Sequence, residues 1–199
     1  LDVAAVQKFF AEEKPEIVIL AAARVGGIKA NMDYPAEFLY GNIVIQNIVI
    51  HLCYQGGGEK ICFLGSSCIY PRECSQPIKE EYLLSGLLEP TNEGYAIAKI
   101  AGLKLIEFYK KQYHFNGMSL MPCNLYGTND SFDPQQCHVL SALVKKMVDA
   151  AQENEPNVNV WGSGKAKREF MHVNDAAEAV LFYLNNPINS SFMNVGWGI

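Results

Sequence analysis

Short apolar runs alternate along the chain with longer stretches that have the periodicity of amphipathic helices. A short run without polar alternation is typical of a strand buried on both faces, as in a parallel sheet. Such runs occupy residues 17–23, 61–64 and 118–121, and the helical patterns occupy residues 3–13, 35–55 and 93–113. The alternation predicts an α/β fold with a doubly wound parallel sheet, whose ligands lie beyond the carboxyl ends of the strands.

The second part of the chain continues the same alternation. We predict a helix at residues 138–152, a short strand at 158–161, a helix at 174–184 with Asn174 as its N-cap, and a last strand at 192–195. The chain starts directly in a helix and stops after a strand. We therefore expect a fold that is truncated at both ends.

Composition and charge exclude several classes of protein. Hydrophobic residues make up 49% of the chain and charged residues 19%, which is enough apolar material for a packed core. The longest apolar run is far shorter than the roughly 20 residues of a membrane span, and the first residues lack the pattern of a signal peptide. A net charge of −5 argues against a nucleic-acid surface. We predict a soluble cytoplasmic protein that binds neither nucleic acid nor membrane.

The six cysteines of the chain form no C-x-x-C pair and have no histidine at zinc-finger spacing. A zinc site is therefore disfavoured, and we expect no bound metal. A chain with this apolar content needs no disulfide framework. Reduced thiols in a cytoplasm are the simplest interpretation.

Tyr95 and Lys99 lie four residues apart and therefore share one face of a predicted helix. An ammonium group near a phenol favours the phenolate, lowers the tyrosine pKa and helps the phenol to exchange a proton with a carbonyl or alcohol oxygen. By itself a Y-x-x-x-K pattern is common on packed helices. Ser66 and Cys68 directly follow a predicted strand, at the ligand edge, where a serine can hydrogen-bond the oxygen that the tyrosine protonates. The two motifs together predict a catalytic site.

Five segments carry a resemblance to a known family. They are A-A-R-V-G-G-I-K-A-N at 22–31, F-L-G-S-S-C-I-Y-P at 63–71, L-E-P-T-N-E-G-Y-A-I-A-K-I-A-G at 88–102, N-L-Y-G at 124–127 and R-E-F at 168–170. With them the chain resembles the extended short-chain dehydrogenase/reductases that act on nucleotide sugars. The resemblance implies a Rossmann-like coenzyme domain at residues 1–130, followed at 131–199 by part of a small substrate-binding domain and a returning strand.

The resemblance also implies an activity: NADP-dependent epimerisation and reduction of GDP-4-keto-6-deoxy-mannose to GDP-L-fucose. It implies a reductase triad of Ser66, Tyr95 and Lys99, with Cys68 and His138 as the acid and base of epimerisation. The implied coenzyme contacts are Ala21, Ala22, Ala23, Leu64, Gly65, Ser66, Tyr95, Lys99 and His138. The G-x-x-G-x-x-G loop for the pyrophosphate is absent from this sequence, and the resemblance implies that it lies upstream of Leu1.

The epimerisation pair also has a physical rationale. Inverting a carbon next to a ketone requires a base on one face and an acid on the other, and both cysteine and histidine titrate near neutrality. His138 opens a predicted helix, which favours neutral imidazole, and we expect the strand edge to stabilise the Cys68 thiolate.

The glycine loop at residues 161–168 carries three cations, which suits a diphosphate. The resemblance implies that Arg168 contacts the GDP-sugar substrate, together with Trp161, Asn124 and Lys146 or its neighbour Lys145. It also implies a homodimer formed through the helices at 35–55 and 93–113.

Three alternatives remain. Nucleotide-sugar dehydratases carry an Asp-Glu pair shortly after the strand serine, and Cys68-Ile69 in its place disfavours dehydration. A simple 4-epimerase, which lacks the Cys and His pair, is a closer rival. A non-catalytic remnant that binds a nucleotide sugar is the third hypothesis.

Overall fold

The computed structural model describes residues 2–133, 137–160 and 162–197. The helices and strands follow one another in the order α1 Val3–Glu13, β1 Ile17–Leu20, α2 Ile28–Asp33, α3 Pro35–Gln55, β2 Lys60–Leu64, α4 Glu93–Tyr113, β3 Gly117–Pro122, β4 Asn124–Tyr126, α5 Val139–Gln152, β5 Phe170–His172, α6 Val173–Asn185 and β6 Phe192–Val195. Single turns of 3-10 helix lie at Ser67–Ile69, Glu80–Tyr82 and Pro90–Asn92.

The main sheet has four parallel strands in the order β1-β2-β3-β6. Alternate residues of β2 point to opposite faces of this sheet, as the pleat requires. Ile61 and Phe63 pack on one side with α3 and α4, whereas Cys62 packs on the other side with Val180 and Tyr183 of α6. Helices therefore cover both faces, and the predicted doubly wound α/β fold is confirmed.

Two elements of the second part differ from the prediction. Residues 158–160 form no strand, and Trp161 lies outside the described residues. Instead β4 and β5 form a separate parallel pair, with Asn124 opposite Phe170. Each of these strands has three residues, too few for a hydrophobic alternation to reveal them.

The N-cap of α6 is His172, and the prediction of Asn174 was wrong. The His172 Nδ1 atom accepts a hydrogen bond from the main-chain N–H of Asn174 at 3.2 Å. An imidazole nitrogen thus caps the first turn of α6, a role that a side-chain oxygen such as that of asparagine more often has.

One described helix, α3, is long and apolar enough to cross a membrane by length and composition. A core helix of a soluble protein passes the same test, and α3 packs along α4 through a buried contact: Gln46 Nε2 donates to the Ala98 carbonyl at 2.5 Å. Gly102 leaves room for this contact, because a Cβ there would lie 2.8 Å from the Gln46 side chain. This packing fixes α4, and hence Tyr95 and Lys99, against the sheet.

Candidate active site

The segments that follow β1, β2 and β3 come together at the carboxyl edge of the sheet, as the sequence predicts. Ala21–Ala23 follow β1, Gly65 to Cys68 follow β2, and Asn124 comes two residues after β3. Ala21 and Ala22 are exposed there. Their small side chains leave the end of β1 open to a ligand.

Gly65 and Ser66 shape the turn that carries Cys68. A Cβ on Gly65 would clash with the end of the Met121 side chain, so any larger residue between β2 and β3 would require that side chain to move. Ser66 is the N-cap of the following 3-10 turn, and its Oγ accepts a hydrogen bond from the Cys68 N–H at 3.4 Å. The Gly-Ser-Ser-Cys sequence thus places a hydroxyl and a thiol side by side at the sheet edge.

Lys99 connects α4 to this turn. Its side chain is buried, with 3% exposure, and its Nζ donates to the Leu64 carbonyl at 2.7 Å. The same Nζ lies 4.6 Å from the centre of the Phe63 ring and 5.7 Å from the centre of the Tyr95 ring. The predicted shared face of Tyr95 and Lys99 is therefore present, and it points at the end of β2.

The protonation states in this cluster differ from the prediction. Burial raises the pKa of Tyr95 above its usual range and lowers the pKa of Lys99 to about 8. Removal of the phenol from water is the main cause of the tyrosine shift, and the neighbouring Cys68 adds to it. The expectation that Lys99 lowers the tyrosine pKa was therefore wrong. Tyr95 consequently keeps its proton near neutral pH, which suits a proton donor.

The Cys68 thiol shows the same effect. Burial raises its pKa to about 11, although the hydrogen bond from Ser66 and the charge of Lys99 both favour the thiolate. The loss of hydration destabilises the thiolate more than Ser66 and Lys99 together stabilise it. The predicted stabilisation of the thiolate was therefore wrong, and Cys68 is a neutral thiol.

His138 stands at the start of α5 as predicted, where its main-chain conformation is extended and its side chain makes no capping hydrogen bond. The residue is exposed. Within the described part of the chain, its imidazole makes no hydrogen bond to the four side chains at the end of β2 and on α4. The structure thus brings together Ser66, Cys68, Tyr95 and Lys99.

The residues predicted to bind substrate lie along the pair of short strands and on α5. Asn124 Nδ2 donates to the Glu169 carbonyl at 3.1 Å, which brings the neighbouring Arg168 to the end of β3. Arg168 is exposed, and hydrogen bonds from Thr91, followed by the charges of Arg72 and Arg168, lower the pKa of Glu89. Arg168 therefore lies close to the turn that leads into α4.

The other two residues predicted to bind substrate are Lys146 and Trp161. Lys146 Nζ donates to the Asn159 carbonyl at 3.1 Å, and so ties α5 to the segment that precedes the glycine loop. Trp161, as noted, lies outside the described residues.

Sequence reasoning missed Asn194 of β6. Its side-chain Oδ1 accepts from the Tyr70 hydroxyl at 2.5 Å, its Nδ2 donates to the Ile78 carbonyl at 3.1 Å, and its main-chain N–H donates to Glu80 at 2.8 Å. Asn194 thereby anchors the segment that follows the Cys68 turn. The one signal in the sequence is a polar side chain inside the apolar run Phe-Met-Asn-Val.

Comparison with known proteins places this site in a family. The model of the NAD dependent epimerase/dehydratase family matches residues 1–196. A putative GDP-L-fucose synthase 2 of Arabidopsis thaliana is 53% identical over 194 residues, which cover 98% of this chain and 59% of the relative. The GDP-L-fucose synthase of Escherichia coli (strain K12) is 49% identical over 208 residues, which cover 100% of this chain and 65% of the relative.

A solved structure has a similar fold. The crystal structure of a GDP-L-fucose synthetase from Naegleria fowleri bound to NADP is 32% identical, with a TM-score of 0.87, over 98% of this chain and 64% of that one. The chain thus spans about three fifths to two thirds of the length of these proteins. A match along nearly every residue, together with the parallel sheet and the cluster at its carboxyl edge, means that the chain belongs to the NAD dependent epimerase/dehydratase family.

Proposed function

We propose that the protein converts GDP-4-keto-6-deoxy-mannose to GDP-L-fucose as an NADP-dependent epimerase/reductase. The observation that carries this proposal is the convergence of Ser66, Cys68, Tyr95 and Lys99 at the carboxyl edge of the sheet. Relatives that bear the name GDP-L-fucose synthase match almost the whole chain and support the substrate.

The residues at the strand ends fit a nicotinamide coenzyme. Ala21 and Ala22 are small and exposed at the end of β1, and Lys99 offers an ammonium group beside Tyr95. A structural neighbour is described as bound to NADP. When bound, NADPH supplies the hydride for the ketone carbon.

In the reduction, Tyr95 gives its proton to the ketone oxygen. The raised pKa of the phenol keeps that proton available at neutral pH. Ser66 holds the same oxygen through its hydroxyl, and Lys99 places a positive charge beside the ring that loses its proton. Tyr95 is therefore the proton donor, Ser66 positions the ketone oxygen, and Lys99 stabilises the negative charge that develops on the phenol.

In the epimerisation, His138 removes the proton from the carbon next to the ketone and Cys68 returns one to the opposite face. Burial favours this assignment, because a thiol with a pKa of about 11 starts in its neutral form. Forming the thiolate at pH 7.5 would cost about 5 kcal/mol, since each pKa unit corresponds to about 1.4 kcal/mol. His138 is exposed at the start of α5, and we therefore assign it the role of the base.

The proposal is tested by incubating the full-length protein with NADPH and GDP-4-keto-6-deoxy-mannose, and by following NADPH absorbance and the sugar product. We expect NADPH consumption and GDP-L-fucose, and no reaction with a UDP-linked keto sugar. Absence of NADPH consumption would favour the non-catalytic remnant. A product reduced without inversion would favour a simple reductase.

Changing Arg168 to Ala should weaken binding of the GDP-sugar by about 1.5–3 kcal/mol, the value of a charge-assisted hydrogen bond. Coenzyme affinity should not change. Titration of both ligands measures the two affinities separately. Arg72 provides a matched control, because it is also an exposed arginine beside Glu89, at 3.4 Å, but belongs to another loop. Equal losses for both ligands would remove Arg168 from the substrate site.

The outward sides of α3 and α4 support a homodimer. Tyr40 is 72% exposed on α3, and Ile97 and Phe108 on α4 are 41% and 57% exposed. A second copy of this helix pair would cover these side chains. Sedimentation of the full-length protein should give the mass of two chains, and Tyr40→Glu should shift this mass toward that of one chain.

The six free cysteines agree with a reducing compartment, and we place the enzyme in the cytoplasm.

A further inference from the structure

The loop between β1 and α2 is held by two buried asparagines. Asn42, 2% exposed, accepts from the Arg24 N–H at 2.8 Å through Oδ1 and donates to the Arg24 carbonyl at 3.0 Å through Nδ2. Asn31, 7% exposed, donates through Nδ2 to the carbonyls of Gly26 at 3.0 Å and Gly27 at 3.1 Å. Four main-chain groups of the loop are thus bound by side chains, so the loop is rigid.

Gly27 touches the residue that precedes His138. Its backbone angles, φ −65° and ψ 177°, are open to any residue, so the conformation does not require glycine. The space is tight, because a Cβ at Gly27 would lie 3.2 Å from the Cys137 carbonyl oxygen, and that main chain would have to move by a few tenths of an ångström. Two main-chain segments more than 100 residues apart in the sequence thus approach each other closely here.

Pro35 and helix α2, which follow Gly27 in the chain, lie against the turn that leads to Tyr95. A Cβ at Gly94 would lie 2.8 Å from the Pro35 carbonyl oxygen, and α2 packs against the turn Pro90–Asn92. Residues 24–35, which we call the bridging segment, thus contact the neighbours of both Tyr95 and His138.

We propose that the bridging segment positions His138 relative to Tyr95 and Cys68, and that Gly27 is the positioning residue. This rests on the proposed function, in which His138 takes part in epimerisation. The His138 side chain makes no capping bond of its own, so its location depends on the main chain that leads into α5. The close approach of Gly27 and Cys137 fixes that main chain.

The test is Gly27→Ala in the full-length protein, with three measurements: entry of deuterium from heavy water into GDP-4-keto-6-deoxy-mannose, NADPH consumption, and the thermal midpoint. The added Cβ displaces the neighbouring main chain by a few tenths of an ångström. A displacement of about 1 Å can cost on the order of a hundredfold in a proton transfer, so we expect deuterium entry to fall by roughly threefold to tenfold. Reduction should continue and the thermal midpoint should stay constant, so the product shifts toward a sugar reduced without inversion.

Gly41→Ala is the matched control. Its Cβ would lie 3.7 Å from the Arg24 side chain, an ordinary contact beside the same loop, so we expect no change in either rate. Asn31→Asp is a second variant, which keeps the size of the side chain but replaces the amide donor that binds the Gly26 and Gly27 carbonyls. It should shift the product in the same direction as Gly27→Ala.

The outcomes separate this proposal from the one on which it rests. If His138→Ala slows deuterium entry and Gly27→Ala does not, the positioning role is wrong while the epimerisation role stands. If Gly27→Ala lowers reduction, deuterium entry and the thermal midpoint together, the segment is only structural and the proposal is overturned. If His138→Ala leaves both deuterium entry and inversion unchanged, His138 has no role in epimerisation, and the positioning proposal fails together with that part of the proposed function.

Discussion

Changing Tyr95 to Phe should lower the rate of ketone reduction by a factor of about 10²–10⁴, the usual contribution of a positioned acid. The substitution keeps the ring that lies 5.7 Å from the Lys99 ammonium and removes only the hydroxyl. Because burial keeps that hydroxyl protonated, its loss removes the proton donor and little of the binding surface. Turnover should therefore fall while affinity for the GDP-sugar stays nearly constant.

Single-turnover NADPH oxidation measures the chemical step, and a titration with the GDP-sugar measures the affinity. Tyr113→Phe is the control, because it removes a hydroxyl from the last turn of the same helix, at an exposed position. It should leave both quantities unchanged. Reduction at the parental rate in the Tyr95 variant would make Tyr95 a packing residue.

Changing His138 to Ala should nearly stop the entry of deuterium from heavy water into the keto sugar, again by a factor of about 10²–10⁴. Changing Cys68 to Ala should have a different result, in which deuterium enters and inversion stops. The reason is that the base can return a deuteron to the face from which it took the proton. Only return to the other face requires the buried neutral thiol.

Mass and stereochemistry of the recovered sugar, without NADPH, give the two rates independently of reduction. Cys74→Ala is the control, since Cys74 is another partly buried free thiol outside the Cys68 turn. The opposite pattern, with exchange lost in the Cys68 variant and retained in the His138 variant, would show that the thiolate is the base despite its burial. Parental exchange and inversion in both variants would favour a simple reductase.

Local patterns were sufficient for the long elements of this fold. The helices at 3–13, 35–55 and 93–113 have the predicted bounds, because each has a helical periodicity over many residues. The main strands lie in the predicted apolar runs, because a strand that is buried on both faces is apolar at successive positions. The strands β4 and β5 have three residues each and depend on pairing between segments about 45 residues apart. No local sequence pattern predicts them.

For the site, the sequence by itself determined which groups meet at the sheet edge. Ser66 and Cys68 follow a strand, and Tyr95 and Lys99 share a helix face, so a parallel sheet brings these two pairs together. Their protonation was decided only by the tertiary structure. The pKa of Cys68 rises and that of Lys99 falls because packing between segments that are distant in the sequence excludes water from both groups.

The same holds for contacts between distant residues. The approach of Gly27 to Cys137 and the bond between Tyr70 and Asn194 join segments more than 100 positions apart. A sequence pattern reports the preferences of neighbours along the chain, whereas these contacts exist because the sheet aligns the ends of β1, β2, β3 and β6. The sequence by itself determined the chemistry that is available, and the tertiary structure decided the direction of the pKa shifts and which distant main-chain segments approach one another.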